Sequence, residues 1–360
     1  MPLPPLPVDD LEHVLSRTRE LWEEARGERF FITGGTGFFG MWLLETFAYV
    51  NDALGLGMKA TVLTRHPEAF ELKAPHLTAR HDLQFISGDI RGFSFPAGKF
   101  PFVVHAATEA SVKLNAENPR EMFDSIVSGA NRMLEFAAQA GVRKFLLTSS
   151  GAIYGRQPSE LTHVPETYNG TQDPLLSSSA YGIGKLAAEF MCAIGGRLPG
   201  VEVKIARCFA FVGPHLPLDG EFAVGNFIRD AMRGNTIHVS GDGTAFRSYL
   251  YAADLAVWLW TLLFKAPSGR AYNVGSDVDL TISELAHTVS SVFGRKSNVH
   301  IAQSPIPGKP AARYVPDVRR GGAELGLRVE TDLKAAIGKT VLWLGGDPNG
   351  VVFARKTNID

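Results

Sequence analysis

Phe30-Phe31-Ile32-Thr33-Gly34-Gly35-Thr36-Gly37-Phe38-Phe39-Gly40 runs a short apolar stretch into a glycine-rich turn. Met41, Leu43, Leu44, Phe47 and Ala48 follow with helical spacing. Glycines alone also make ordinary tight turns, but strand, glycine turn and helix in this order form the setting of a dinucleotide-binding turn. Gly34 permits the turn, Gly37 lets a pyrophosphate approach the backbone, and Gly40 lets the helix close on the strand. Phosphates would meet the helix N-terminus, where free amides and the dipole favour an anion. Thr36, Phe38 and Phe39 belong to the same turn and count with it as cofactor-binding residues.

Further strands are expected at Arg29 to Thr33, Ala60 to Thr64, Leu83 to Ser87, Phe102 to His105, Lys144 to Ser149, Val201 to Cys208 and Ala271 to Val274. Helical spacing separates several of them. The clearest case is Met122 to Ala140, with Phe123, Ile126, Met133, Leu134 and Phe136 on an apolar face and Gly141 as a stop. This alternation predicts an α/β fold, a doubly wound parallel sheet of Rossmann type with helices on both faces.

A second cluster supplies chemistry. In Tyr181-Gly182-Ile183-Gly184-Lys185 the tyrosine and lysine are four apart and share one helix face. A phenol ordinarily ionises near pH ~10, and a neighbouring ammonium favours its phenolate. Beside a nicotinamide, such a phenolate takes a hydroxyl proton while the cofactor takes the hydride. Tyr-x-x-x-Lys also arises by chance on amphipathic helices, so the reading rests on its company: the glycine turn and Ser149-Ser150-Gly151-Ala152-Ile153-Tyr154-Gly155.

With these motifs the chain resembles the extended short-chain dehydrogenase/reductases, specifically the nucleotide-sugar epimerase/dehydratase family. The resemblance runs from about Arg29 to near the C-terminus. It also takes in Gly88-Asp89-Ile90, His105-Ala106-Ala107, Gly213-Pro214, Gly241-Asp242-Gly243 with Arg247, and Tyr272-Asn273-Val274-Gly275. The resemblance implies NAD or NADP as cofactor, with NAD slightly favoured, a nucleotide-diphosphate sugar as substrate, and a homodimer. It implies a catalytic set of Ser150, Tyr181 and Lys185, with Ser149 as the fallback serine. Asp89 and Ile90 would lie by the adenine, and Ala106 and Ala107 would let the backbone approach the cofactor. Arg247, Asn273 and Arg313 become candidates for the substrate side, with Glu109 and Ser111 facing the sugar. His105 is expected to hydrogen-bond structurally.

The chain departs from the family pattern at three points. The second strand ends at Thr64-Arg65-His66-Pro67 without the acid that binds an adenosine ribose. Arg65 is read as a partner for the extra phosphate of NADP, as a platform for adenine, or as a solvated loop residue. Gly151 and Ala152 stand where dehydratase relatives carry Asp-Glu and decarboxylating relatives retain the Glu. Neither transfers a proton, so an epimerase is favoured over a 4,6-dehydratase unless Glu109 or Glu166 supplies an acid. Ala210 replaces an asparagine that often contacts substrate. A dehydrogenase or 4-ketoreductase of the same family, a reductase of a non-nucleotide carbonyl compound, and a non-catalytic dinucleotide sensor remain the alternatives.

The composition agrees with this reading. A length of 360 residues with 45% hydrophobic content supports a sizeable core. A formal charge of -1 makes no case for nucleic acid. Cys192 and Cys208 have no metal-site or redox spacing, so buried thiols in a reducing compartment and no bound metal are expected. The proline-rich start lacks the form of a signal peptide, and Leu255 to Phe264 is half the roughly 20 residues that span a bilayer, so a cytoplasmic location is expected. The expected organisation is a helical extension over 1–27, a cofactor domain over 28–208 that also receives 248–275, and a substrate region from 209–247 and 276–360.

Overall fold

Six strands, β1 (Arg29–Thr33), β2 (Lys59–Thr64), β3 (Leu83–Ser87), β4 (Phe102–His105), β5 (Lys144–Ser150) and β6 (Glu202–Cys208), join the later strand Arg270–Val274 in one seven-stranded sheet. The computed structural model describes residues 2–108, 112–170, 172–195, 200–220, 222–293 and 298–347. Across the sheet the order is Arg270–Val274, β6, β5, β4, β1, β2, β3, and every neighbouring pair is parallel. The order reverses between β1 and β4. At such a switch point the crossovers leave to opposite faces and open a crevice at the carboxyl ends of the strands.

The doubly apolar character of β1 follows from its two covered faces, since successive side chains point to opposite sides. Phe30 stacks on Phe102 at 4.8 Å between ring centroids and meets Trp260 and Phe47 on one face. Phe31 turns to the other, against Phe136 at 4.5 Å, Phe93 and Phe100. Burying each such ring contributes on the order of 1.5–3 kcal/mol. Lys144 to Ser149 extends one residue further than its sequence suggests, and the segment expected as a helix over Met122 to Ala140 starts three residues earlier, in the helix Pro119–Gln139, with Ala140 as its C-cap.

The N-terminal segment packs onto this unit. A helix, Val8–Thr18, runs into the 3-10 turn Arg19–Ala25. Buried Asp10 accepts hydrogen bonds from Tyr251 Oη and Lys339 Nζ, both at 2.6 Å. Trp22 lies 4.7 Å from Trp260 and against Phe264, both on the helix Ala252–Lys265. Among the described residues no helix is long and apolar enough to cross a membrane.

The remaining strands are short. Phe246–Ser248 lies between Asp279–Thr281 and Arg313–Tyr314, and Ile237–Val239 pairs with Val299–Ile301. The Arg313–Tyr314 pairing brings the late part of the chain over the open ends of β5 and β6, beside the cavity at the switch point.

Candidate active site

A cavity of about 1050 Å³ opens along the carboxyl ends of the strands. Its floor is the glycine turn. Gly34 has φ +73°, and a Cβ there would stand 2.5 Å from the carbonyl of Ala106. A Cβ on Gly40 would collide with the backbone of Gly34 and Gly35, so this helix reaches the strand only without a side chain. Gly37 is the N-cap of the helix Phe38–Leu54 and makes no side-chain cap hydrogen bond. The first amides of the helix are thereby left for an acceptor from the cavity side.

Thr36, Phe38 and Phe39 line the cavity with Gly34 and Gly37, while Gly40 lies behind them. At the far end stand Arg65, Asp89 and Ile90, with Ala106 and Ala107 between. Asp89 chelates Arg91 at 2.8 and 2.9 Å, which holds its carboxyl below the usual range. His105 is structural, as expected. Its Nδ1 is 2.8 Å from Thr33 Oγ1, and complete burial pushes its pKa down to about 3, so it stays neutral.

The helix Ala180–Gly195 packs along Pro119–Gln139 and brings Tyr181 and Lys185 to the cavity wall. Ser149 and Ser150 end β5, where the pleat turns neighbouring side chains to opposite faces. Ser149 Oγ donates to buried Glu189, which also takes a forked ion pair from Arg207. Ser150 Oγ accepts the amide of Ala152 at 3.1 Å and lines the cavity together with Tyr181.

Electrostatics at Tyr181 differ from the expectation that Lys185 lowers its pKa. Burial dominates and pushes the phenol up to about 12, with the Ser150 hydroxyl pulling the other way. Lys185 Nζ lies 6.0 Å from the tyrosine ring centroid and donates to Thr108 Oγ1 at 2.7 Å and the Thr148 carbonyl at 2.8 Å. Burial also brings the ammonium down to about 8. The two side chains share a face, but in this arrangement the lysine is held by the strand ends instead of the phenol.

Of the substrate-side candidates, Arg247 lines the cavity, with its guanidinium 5.9 Å from the ring centroid of Tyr314. Asn273 does not reach it. Its side chain is fully buried, donating to the carbonyls of Val164 and Asp317 and accepting from Tyr154 Oη. Arg313 also points elsewhere, paired with Asp279 at 2.7 Å and stacked 3.9 Å over Phe246. Glu109 and Ser111 lie outside the described residues.

Glu166 is not a spare acid. One oxygen accepts the amide of Asn273 and the other pairs with Arg320, and neither belongs to the cavity wall. Asp89 is the only carboxylate among the described residues lining the cavity, and it stands at the Arg65 end. Beside Ser150 the space is aromatic. A Cβ on Gly151 would fall 2.6 to 2.8 Å from the ring carbons of Phe209. That ring packs at a tilt 4.7 Å from Tyr314 and 6.3 Å from Tyr154.

Sequence reasoning missed Phe209, Thr108, Tyr249 and Tyr314, all on the cavity wall. Tyr314 was within reach, since Arg313 and Tyr314 are neighbours on one strand and only one of them can face the cavity.

A family model for the NAD dependent epimerase/dehydratase family matches residues 30–275. UDP-glucuronic acid decarboxylase 5 of Arabidopsis thaliana is 30% identical over 322 residues, covering 86% of this chain and 87% of the relative. UDP-glucuronic acid decarboxylase 1 of Danio rerio is 28% identical over 87% of this chain and 72% of its own. Among solved structures, UDP-glucose 4-epimerase of Thermotoga maritima, with UDP-glucose, is similar at a TM-score of 0.72 and 23% identity, over 88% of this chain and 98% of that one. A dTDP-glucose 4,6-dehydratase of Streptomyces venezuelae with NAD bound is similar at 0.72 and 23%, over 88% and 97%. At such identities the likeness of the structures is one of fold.

Proposed function

Since this chain belongs to the NAD dependent epimerase/dehydratase family, we propose that it is a nucleotide-sugar epimerase that holds NAD and works through a transient keto-sugar. The observation that carries this reading is the wall beside Ser150. Ala152 and the Phe209 ring line it, with Gly151 buried against that ring, and none can give a proton to a leaving hydroxyl or take one from a neighbouring carbon.

The glycine turn and the uncapped helix start fit a pyrophosphate, and the Arg65 end fits an adenosine with NAD or NADP. When bound, the cofactor would accept a hydride from the sugar carbon and return it. Tyr181 takes the hydroxyl proton of that carbon and gives it back, so the overall reaction is redox-neutral. Ser150 hydrogen-bonds the reacting oxygen. Lys185, anchored by Thr108 and Thr148, supplies positive charge at the strand ends and donors for a ribose. Arg247 receives the nucleotide diphosphate in this reading, with a guanidinium fork suited to phosphate. Hydride returned to the opposite sugar face would invert the centre.

The likeness to UDP-glucuronic acid decarboxylases supports a second reading, loss of carbon dioxide from an oxidised uronic acid. Turnover in deuterium oxide separates the two. Epimerisation by internal hydride return leaves carbon-bound hydrogen unexchanged, whereas decarboxylation or elimination places solvent deuterium on the sugar. Deuterium on a ring carbon of the product counts against the epimerase.

A further inference from the structure

Tyr181 is the second residue of the helix Ala180–Gly195. It therefore sits in the first turn, where backbone amides have no partner inside the helix and the end frays most readily. Its amide is nonetheless held. Asn115 Oδ1 accepts it at 3.0 Å, and Asn115 Nδ2 donates to the carbonyl of Ser178 at 2.8 Å. Ser178 and Tyr181 are three apart, the spacing at which a turn closes on itself by one backbone hydrogen bond. The Asn115 side chain stands between these two groups as the partner of each. We propose that Asn115 is a positioning residue that sets the phenol of Tyr181 at the cavity by gripping the start of its helix. The consequence for chemistry rests on the reading of Tyr181 as the base.

The asparagine comes from outside that helix. It lies on the short helix Val112–Glu117, which runs into Pro119–Gln139 with Asn118 as the N-cap between them. The same connection from β4 begins at Ala106 and Ala107, which approach the glycine turn so closely that a Cβ on Gly34 would stand 2.5 to 2.6 Å from their backbone. The Ala107 amide also donates to Thr33 Oγ1 at 3.2 Å. Thr108 follows and takes Lys185 Nζ at 2.7 Å. One stretch of chain thus meets the cofactor turn through Ala106, Lys185 through Thr108 and the Tyr181 backbone through Asn115. Both reactive side chains are placed relative to the glycine turn by the same segment.

The grip matters because the chemistry is short-ranged. A base must come within roughly 2.6–3.2 Å of the proton it takes, and a displacement of about 1 Å can cost on the order of 100-fold in rate. Lys185 lies one turn further in, buried and tied to Thr108 and Thr148, so it keeps its place when the first turn shifts. Asn115, Ser178 and Tyr181 all line the cavity. Asn115 is half-buried there, so truncating it opens no hole in the core.

The test is fluorine NMR of the full chain labelled with 3-fluorotyrosine and saturated with NAD. Of the eight tyrosines, the line that Tyr181→Phe removes belongs to Tyr181. In Asn115→Ala that line should move by more than its width or split in two. NAD affinity by isothermal titration should stay within about twofold, as a folded variant with an intact cofactor site requires. Asn115→Asp keeps an acceptor for the Tyr181 amide, and a carboxylate is favoured at a helix N-terminus, so it should restore a single line near the wild-type position. A Tyr181 line that Asn115→Ala leaves in place overturns the inference, as does one that Asn115→Asp displaces as far as Asn115→Ala. A loss of NAD affinity of about tenfold or more in Asn115→Ala also overturns it, because the side chain would then hold the fold or the cofactor instead of Tyr181. A pH titration of the same line separates this from the base itself. If Tyr181 is not the first tyrosine to ionise in the NAD complex, the reading of Tyr181 as the base fails while the Asn115 result stands.

Discussion

Gly151 and Phe209 share one volume: a Cβ on the glycine would stand 2.6 Å from Cζ of the phenylalanine. The ring packs against Tyr314 at 4.7 Å and cannot yield without disturbing it. Gly151→Ala should therefore destabilise the protein by about 1–3 kcal/mol, the usual range for overpacking. In a Phe209→Leu background the same substitution should cost less. Chemical denaturation of the four proteins measures this, and an equal cost in both backgrounds would count against the shared volume.

The glycine turn gives a sharper expectation. Gly40→Ala places a methyl group against the backbone of Gly34 and Gly35, with no flexible side chain to move aside. Isothermal titration should show NAD binding weakened at least tenfold, or about 1.4 kcal/mol. Unaltered affinity would mean that the helix does not need its close approach to the strand.

Tyr181→Phe should reduce turnover by roughly 10²–10⁴-fold while binding of a free nucleoside diphosphate stays within about twofold, since the base acts on a proton and not on phosphate. Arg247→Leu should do the reverse, weakening the nucleoside diphosphate by about tenfold. If Arg247→Leu leaves that affinity intact, the diphosphate does not lie where the guanidinium is.

Much of the sheet is legible in sequence because a strand covered on both faces is apolar throughout, and Phe30-Phe31-Ile32 announces itself. The glycine turn is legible for a related reason: the two backbones come so close that only glycine fits. Side-chain direction at the mouth of the cavity is not. Arg313 and Tyr314 are adjacent, and one residue of register decides which of them faces the site. Asn273 has the same ambiguity, since its amide closes three buried hydrogen bonds that are set by distant segments. Phe209 could be found only from the volume missing at Gly151, which no local pattern reveals.

His13 on the N-terminal helix is 3.1 Å from buried Asp254, and that hydrogen bond raises its pKa above the ordinary value. A group with a raised folded pKa contributes stability in full below its unfolded value, about 6.5, and loses it as pH climbs through the folded value. The melting temperature of His13→Ala should fall furthest below wild type near pH ~5, and the gap should close in the alkaline range. Asp254 keeps the amides of Glu330 and Thr331 as partners, so the variant leaves no bare buried charge. A gap that widens as pH rises would refute the assignment.

Leu186, Phe190 and Ile194 form an exposed apolar row at four-residue spacing on the helix that carries Tyr181 and Lys185. We propose that this row is where two copies of the chain meet. Sedimentation velocity should give a dimer for wild type and a monomer for Phe190→Glu, and a dimer in both places the contact on another face.

Product analysis separates epimerisation from elimination and decarboxylation. The purified protein, supplied with NAD and in parallel with NADP, is incubated with a panel of nucleotide sugars that includes uronic acids, and products are read by mass spectrometry and proton NMR. Epimerisation gives an unchanged mass with altered ring couplings, which also identifies the inverted carbon. A product lighter by water or by carbon dioxide would contradict it, and would mean that the wall of Gly151, Ala152 and Phe209 does not prevent elimination or decarboxylation.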